Sequence, residues 1–142
     1  TPCGTLFPYT TLFRSVGIRT LRDLQVTAER RRDETAQIGL WHDGRKIASM
    51  GVHVSRWVTS FGFALNLLGD TEQTRFIRPC GLKNVQLTTV EEVTGNPPDR
   101  EFVKQRLIGH FQDVFQRELI EENTENVEKV MGESVLNDFV KK

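Results

Sequence analysis

Cysteine is scarce in this chain of 142 residues, which contains only Cys3 and Cys80. With no CxxC pair and no Cys/His cluster, the sequence suggests neither a disulfide framework nor a structural zinc site. Charge of one sign is also lacking, because 19 lysines and arginines balance 19 aspartates and glutamates. That balance removes any global field for nucleic acid or an anionic membrane, so neither is expected as a partner. No run approaches the roughly 20 apolar residues of a membrane span, and the N-terminus lacks the basic region, apolar run and small-residue cleavage site of a secretory signal. A cytoplasmic location is therefore expected. Internal repeats and low-complexity tracts are missing too. What the chain does have is an apolar content of 37%, ordinary for one folded domain with an appended helical tail.

Thr1 to Ser15, TPCGTLFPYTTLFRS, shows no clean helical or strand period. It resembles a translated cloning or sequencing adapter, so residues 1–15 are set apart as a non-native segment and the natural protein is expected to begin upstream of Val16. Val16, Leu21 and Leu24, interspersed with Arg19, Arg22 and Asp23, predict the end of an amphipathic helix. The charged run Glu29 to Glu34 reads as a solvated loop. Gln37 to His42 and Arg45 to Val58 read as strands joined by Asp43-Gly44, a pair suited to a type I′ hairpin turn because glycine tolerates positive φ. Phe61 to Leu68 predicts a further strand, and Thr71 to Phe76 a helical turn capped by Asp70. Pro79-Cys80-Gly81 enforces an irregular loop. Val85 to Val90 reads as a short strand, and Gly95-Asn96-Pro97-Pro98 as a break. Asp99 then reads as the N-cap of a helix to about Leu119, with Val103, Leu107, Phe111, Val114 and Phe115 on one face. Glu121 to Lys142 repeats a weaker helical pattern. Strands first and helices later predict an α+β domain, divided into a catalytic part over 16–95 and a helical part over 96–142.

A lone cysteine is more often a small buried hydrophobe than a nucleophile. Proline before Cys80 and glycine after it leave a loop whose backbone amides can converge on a thiolate or an oxyanion. A nucleophilic thiol needs a neighbouring cation or base. His42, His53 and His110 lie beside a turn, in a strand and in a late helix, with no Cys-His-Asn/Asp signature. A lysine can fill the same role, but spacing alone does not separate Lys46 from Lys83 or Lys104.

Three blocks do separate it. Gly44-Arg45-Lys46-Ile47-Ala48, followed by Gly51-Val52 and Val54-Ser55-Arg56, precedes Gly62-Phe63-Ala64-Leu65-Asn66 and then Pro79-Cys80-Gly81. In order and separation these blocks resemble the core signature of the lipoyl(octanoyl) transferase family, over roughly Thr20 to Val90. The resemblance implies a mixed sheet with packed helices, like the catalytic domain of biotin and lipoate protein ligases. It implies Lys46 and Cys80 as the catalytic pair, and Ser49, Met50, Gly51, Gly62, Phe63 and Ala64 around the acyl chain. Small residues suit such a slot, since they allow close backbone approach. Members usually carry a histidine where this chain has Phe61, and an upstream half with Arg-Gly-Gly and Thr-x-His-x-Pro-Gly stretches that this sequence lacks.

The implied reaction has two steps. Cys80 takes an octanoyl group from an acyl carrier protein as a thioester and passes it to a lysine of a lipoyl domain, on 2-oxoacid dehydrogenase complexes or the glycine cleavage H protein. Lys46 favours the thiolate by charge and accepts a proton from the incoming amine. No metal or organic cofactor is implied. Acidic carrier domains would be met by basic surface, for which Arg45, Arg56, Arg75, Arg78 and Lys83 are candidates. Two other readings stay open. One is an ATP-dependent lipoate or biotin ligase of the same architecture, which needs no thiol. The other is a carrier-binding module or an inactive fragment.

Overall fold

The computed structural model describes residues 7–31, 39–55, 58–71 and 85–121. Helix α1 (Phe7–Asp23) leads to a three-stranded antiparallel sheet in the order β1 (Gly39–His42), β2 (Arg45–Ser55), β3 (Val58–Leu65). The short helix α2 (Val90–Thr94) and the longer α3 (Arg100–Phe115) follow. The fold is α+β, with α1 packed on one face of the sheet and α3 packed against α1.

The β1–β2 hairpin forms where Asp43-Gly44 predicts it. Both turn residues adopt positive φ, 45° and 75°, as a type I′ turn requires. β3 begins at Val58, three residues before the predicted start, and pairs with β2 from Ser55↔Val58 to Ala48↔Leu65. Glu29 is not merely solvated loop. It pairs with Trp41 through both backbone groups, at 2.9 and 3.0 Å, and extends the sheet beyond β1.

The predicted strand at 85–90 is instead a single parallel bridge, Lys46↔Leu87, followed directly by α2. A capping box starts the helix early: the Thr89 hydroxyl accepts from the Glu92 N–H at 3.1 Å, and the Glu92 carboxylate in turn receives a backbone hydrogen bond from Thr89. Gly95, at φ 77°, closes α2. Asp99 caps α3 as predicted, accepting from the Glu101 and Phe102 N–H groups, but the helix ends at Phe115, where Gln116 turns left-handed at φ 52°.

α1 contains the predicted amphipathic stretch and begins well before it, inside the segment 1–15. Pro8 falls in the first turn, where it breaks no helical hydrogen bond. Phe13 explains why these residues are helical. Its ring meets Phe63 of β3 at 6.1 Å and Phe115 of α3 at 5.2 Å, while Phe111 and Phe115 stack at 4.2 Å. Beneath this cluster Leu21, Val26, Leu40, Ile47, Ala48, Met50 and Val90 form the buried core. Asp23, at the end of α1, ties α3 down by accepting from Arg106 Nε at 2.6 Å and lying 2.7 Å from His110 Nε2. The predicted turn after Asp70, from Glu72 onward, and the predicted final helix, from Glu122 onward, lie outside the described residues.

Candidate active site

Strand alternation alone would put Lys46 on the same face as Ala48 and Met50, in the core. A β-bulge prevents this. Leu40 pairs with Ala48 and Trp41 with Lys46, so Ile47 is the extra residue on β2. Ile47 and Ala48 then both enter the core beneath α1, and Lys46 emerges on the opposite face beside Trp41.

The backbone around Lys46 is fixed on both sides. Trp41 spends its N–H and C=O on Glu29, whereas Lys46 donates its N–H to Gln86 O at 2.8 Å and accepts from the Thr88 N–H at 3.0 Å. Trp41 and Lys46 are therefore a non-hydrogen-bonded pair, the geometry that brings cross-strand side chains closest. Lys46 is 1% exposed, and its Nζ lies 5.8 Å from the Trp41 ring centroid. The Arg31 guanidinium approaches the same ring at 4.6 Å.

Asn66 locks this row from the end of β3. Its N–H donates to Ile47 O at 2.9 Å. The side-chain amide reaches Thr88 O at 3.1 Å and, more loosely, Lys46 O at 3.4 Å. One side chain thus joins three chain segments at Lys46.

The two glycine-bearing blocks lie residue against residue. Ser49 pairs with Ala64, Met50 with Phe63 and Gly51 with Gly62. Their side chains divide between the two faces. Met50 and Phe63 pack toward α1: a Cβ placed on Gly17 would meet Met50 Cε at 3.7 Å and Phe63 Cε2 at 3.8 Å. Ser49, Gly51, Gly62 and Ala64 belong to the other face, shared with Lys46. No described atom lies within 4 Å of a Cβ built on either Gly51 or Gly62. On this face the sheet from Ser49 to Gly51, and across to Gly62 and Ala64, thus offers nearly bare backbone, and Met50 and Phe63 can contribute there only through their main chain.

Pro79, Cys80 and Gly81 lie outside the described residues, as do Arg56, Arg75, Arg78 and Lys83. Arg45 is paired with Glu92 at 3.6 Å. Desolvation pushes the Glu92 carboxyl up, but hydrogen bonds from Thr71 and Thr88, the charge of Arg45 and the Thr89 N–H together hold it below its usual value. Arg45 thereby anchors α2 to the hairpin. The histidines are placed as their sequence context suggests: His42 Nδ1 lies 2.7 Å from Thr27 O, His110 contacts Asp23, and His53 is exposed on β2.

A family profile for the lipoyl protein ligase A/B catalytic domain matches residues 4–112. The chain belongs to this family. Within the family it is similar to octanoyltransferases: 39% identical over 117 residues to that of Christiangramia forsetii, and 34% over 130 residues to that of Caldicellulosiruptor bescii. These alignments cover 78% and 92% of this chain, but only 49% and 53% of the relatives, so the chain spans about half their length. Among solved structures, lipoate-protein ligase A bound with ATP superposes with a TM-score of 0.62 at 15% identity, over 86% of this chain and 53% of that one. A T. acidophilum protein holding bound lipoic acid gives the same TM-score at 14% identity, over 92% of this chain and 56% of that one. At these identities the likeness establishes the family fold. Among the described residues, no helix is long and apolar enough to cross a membrane.

Gly39, Trp41 and Thr88 were not legible as parts of the site. Asn66 was visible at the end of its block, but nothing in the sequence joins it to Lys46. The signals available were a glycine within a predicted strand and a tryptophan across the hairpin from the lysine. Neither becomes informative until the bulge sets the register.

Proposed function

We propose that this domain is the catalytic part of an octanoyltransferase of lipoate biosynthesis, acting in the cytoplasm. Cys80 is its nucleophile and Lys46 its proton-transfer partner. In the first step the Cys80 thiolate, held by the Lys46 ammonium, attacks the carbonyl of octanoyl-acyl carrier protein; a new thioester forms, the carrier C–S bond breaks, and the carrier leaves as a thiol with the proton given up by Lys46, which is left neutral. In the second, a lysine amine of a lipoyl domain attacks the Cys80 thioester. The C–S bond breaks, Cys80 leaves as thiolate, and Lys46 takes the proton released by the amine. Exchange of one thioester for another is nearly balanced, and amide formation from a thioester is downhill, so no nucleotide is needed. The backbone N–H groups of Cys80, Gly81 and Leu82 would hold the tetrahedral oxyanion, Pro79 having none to donate.

The observation that carries this reading is the bulge at Ile47. It brings Lys46 onto the same sheet face as Ser49, Gly51, Gly62 and Ala64. A buried lysine beside bare backbone suits an extended acyl chain ending at a reactive carbonyl. The octanoyltransferase relatives support the octanoyl group as the one transferred.

The test is to incubate the protein with octanoyl-acyl carrier protein, record its intact mass, and map the adduct by digestion. An octanoyl group on Cys80, released by hydroxylamine and diminished in Lys46→Ala, is expected; Cys80→Ser should carry none at that position. Modification elsewhere, or none, counts against the proposal. An ATP-dependent ligase would tolerate Cys80→Ser, so that variant also separates the two chemistries.

A further inference from the structure

A side chain added at Gly39 would collide with the lysine of the candidate site. A Cβ built there meets the backbone carbonyl oxygen of Ala48 most closely, and falls 2.6 Å from Lys46 Cε and 3.4 Å from its Nζ. Gly39 pairs with Ser49, not with Lys46, so the lysine reaches it diagonally, by lying back across β1. Trp41, the true cross-strand partner of Lys46, bounds the other side of that path. The Lys46 chain therefore runs in a groove whose floor is the bare backbone of Gly39 and whose wall is the Trp41 ring.

We infer that Gly39 is a positioning residue for Lys46: its missing side chain is what lets the lysine lie flat on the sheet with its amine held at the candidate acyl site. Nothing in the backbone angles demands glycine here, because φ at Gly39 is outside the left-handed range. Space is the constraint. A flexible lysine on an open strand would sample many rotamers, each ordered one at an entropic cost. The groove removes most of those rotamers before substrate arrives, which is how a proton-transfer group is kept within reach of the reacting atoms. The catalytic meaning of this placement rests on the function proposed above; the placement itself does not.

The test is a double-mutant cycle on the full chain with Gly39→Ala, Lys46→Ala and both together, read by urea denaturation. Limited acetylation followed by mass spectrometry adds a second readout, with Lys104, 55% exposed, as internal reference. The stability lost through Gly39→Ala should be smaller when residue 46 is alanine than when it is lysine. Lys46 acetylation relative to Lys104 should rise several-fold in Gly39→Ala, because the displaced chain swings into solvent. An additive cycle, or an unchanged Lys46 to Lys104 ratio, overturns the inference. If Gly39→Ala does not fold, the double variant decides: folding supports the inference, and failure to fold overturns it by assigning the clash to the Ala48 backbone. Neither readout needs Cys80. Coupling without octanoyl loading therefore overturns the functional proposal and leaves the positioning role standing.

Discussion

Trp41 and Lys46 face each other across the hairpin as a non-hydrogen-bonded pair, with the lysine Nζ 5.8 Å from the indole centroid. The pairing exists because Ile47 is bulged out of the β2 ladder. Had β2 paired regularly, Lys46 would share a face with Ala48 and Met50, and an ammonium would be forced into the apolar core at a prohibitive cost. A single extra residue thus decides which face of the sheet the lysine occupies. The chain stabilises that choice by giving the Lys46 backbone two hydrogen bonds to the 86–88 segment.

Asn66 should be worth more to stability than its half-buried position suggests. Its amide bridges Thr88 O and Lys46 O at the point where β2 exchanges one neighbour for another. Asn66→Leu removes the donor and leaves carbonyls without that partner, a loss of about 1–3 kcal/mol. Asn66→Asp keeps the shape but opposes carbonyl oxygens with a carboxylate, and should be at least as damaging at neutral pH. Urea denaturation of both variants checks this. A loss near zero in Asn66→Leu would mean that the amide bridge contributes nothing net.

Local chemistry was legible where a few residues decide the outcome. Asp43-Gly44 announced the hairpin and Asp99 announced α3, because both features depend on backbone preferences of the residues themselves. The bulge was not legible, since it depends on how Leu40 and Trp41 meet β2 rather than on anything Ile47 prefers. The short strand predicted over 85–90 failed because alternation was read past Thr89, a residue whose hydroxyl caps a helix instead. α1 was missed over its first turns because residues 1–15 show no clean period and were set apart from the fold, whereas Phe13 packs against Phe111 and Phe115 far along the chain. The resemblance led to Lys46 and its glycine blocks, but not to the division of those blocks between two faces.

Gly44 should resist alanine for its backbone conformation alone. Gly44 has φ 75° and no described atom within 4 Å of an added Cβ, so Gly44→Ala suffers only from its backbone, by about 1–2 kcal/mol. Gly44→Asn should lose less, because asparagine visits the left-handed region more readily. Comparing urea midpoints of the two variants checks the ordering.

The Asp23 contact with Arg106 and His110 should make part of the stability acid-labile. Hydrogen bonds from Arg106 and then His110 hold the Asp23 carboxyl below its usual value. A carboxyl whose folded pKa lies below its unfolded value, about 3.9, stabilises the fold fully above that value and loses this contribution as pH falls through the folded pKa. Asp23→Asn should therefore be less stable than the parent above about pH 5, and the gap should close below about 4. The contact is partly exposed, so the gap should be small and shrink in high salt. Denaturation at a series of pH values measures it; a gap that persisted undiminished below about 4 would contradict the assignment.

Gly51 and Gly62 offer the sharpest separation of function from stability. They face each other across β2 and β3, on the face shared with Lys46, with ordinary strand backbone and no described atom near an added Cβ. Glycine in a strand is less favourable than alanine by roughly 0.5–1 kcal/mol, so Gly51→Ala and Gly62→Ala should leave stability unchanged or raise it slightly. If this bare backbone is the floor of an acyl slot, the same methyl groups occupy space that the octanoyl chain needs. Loading of Cys80 from octanoyl-acyl carrier protein should then fall several-fold in each variant, and further in the pair. Shorter acyl donors should be affected less. Stable variants that load octanoate like the parent would place the acyl chain elsewhere on the domain, whereas variants that lose loading only because they unfold would show that these glycines support the sheet.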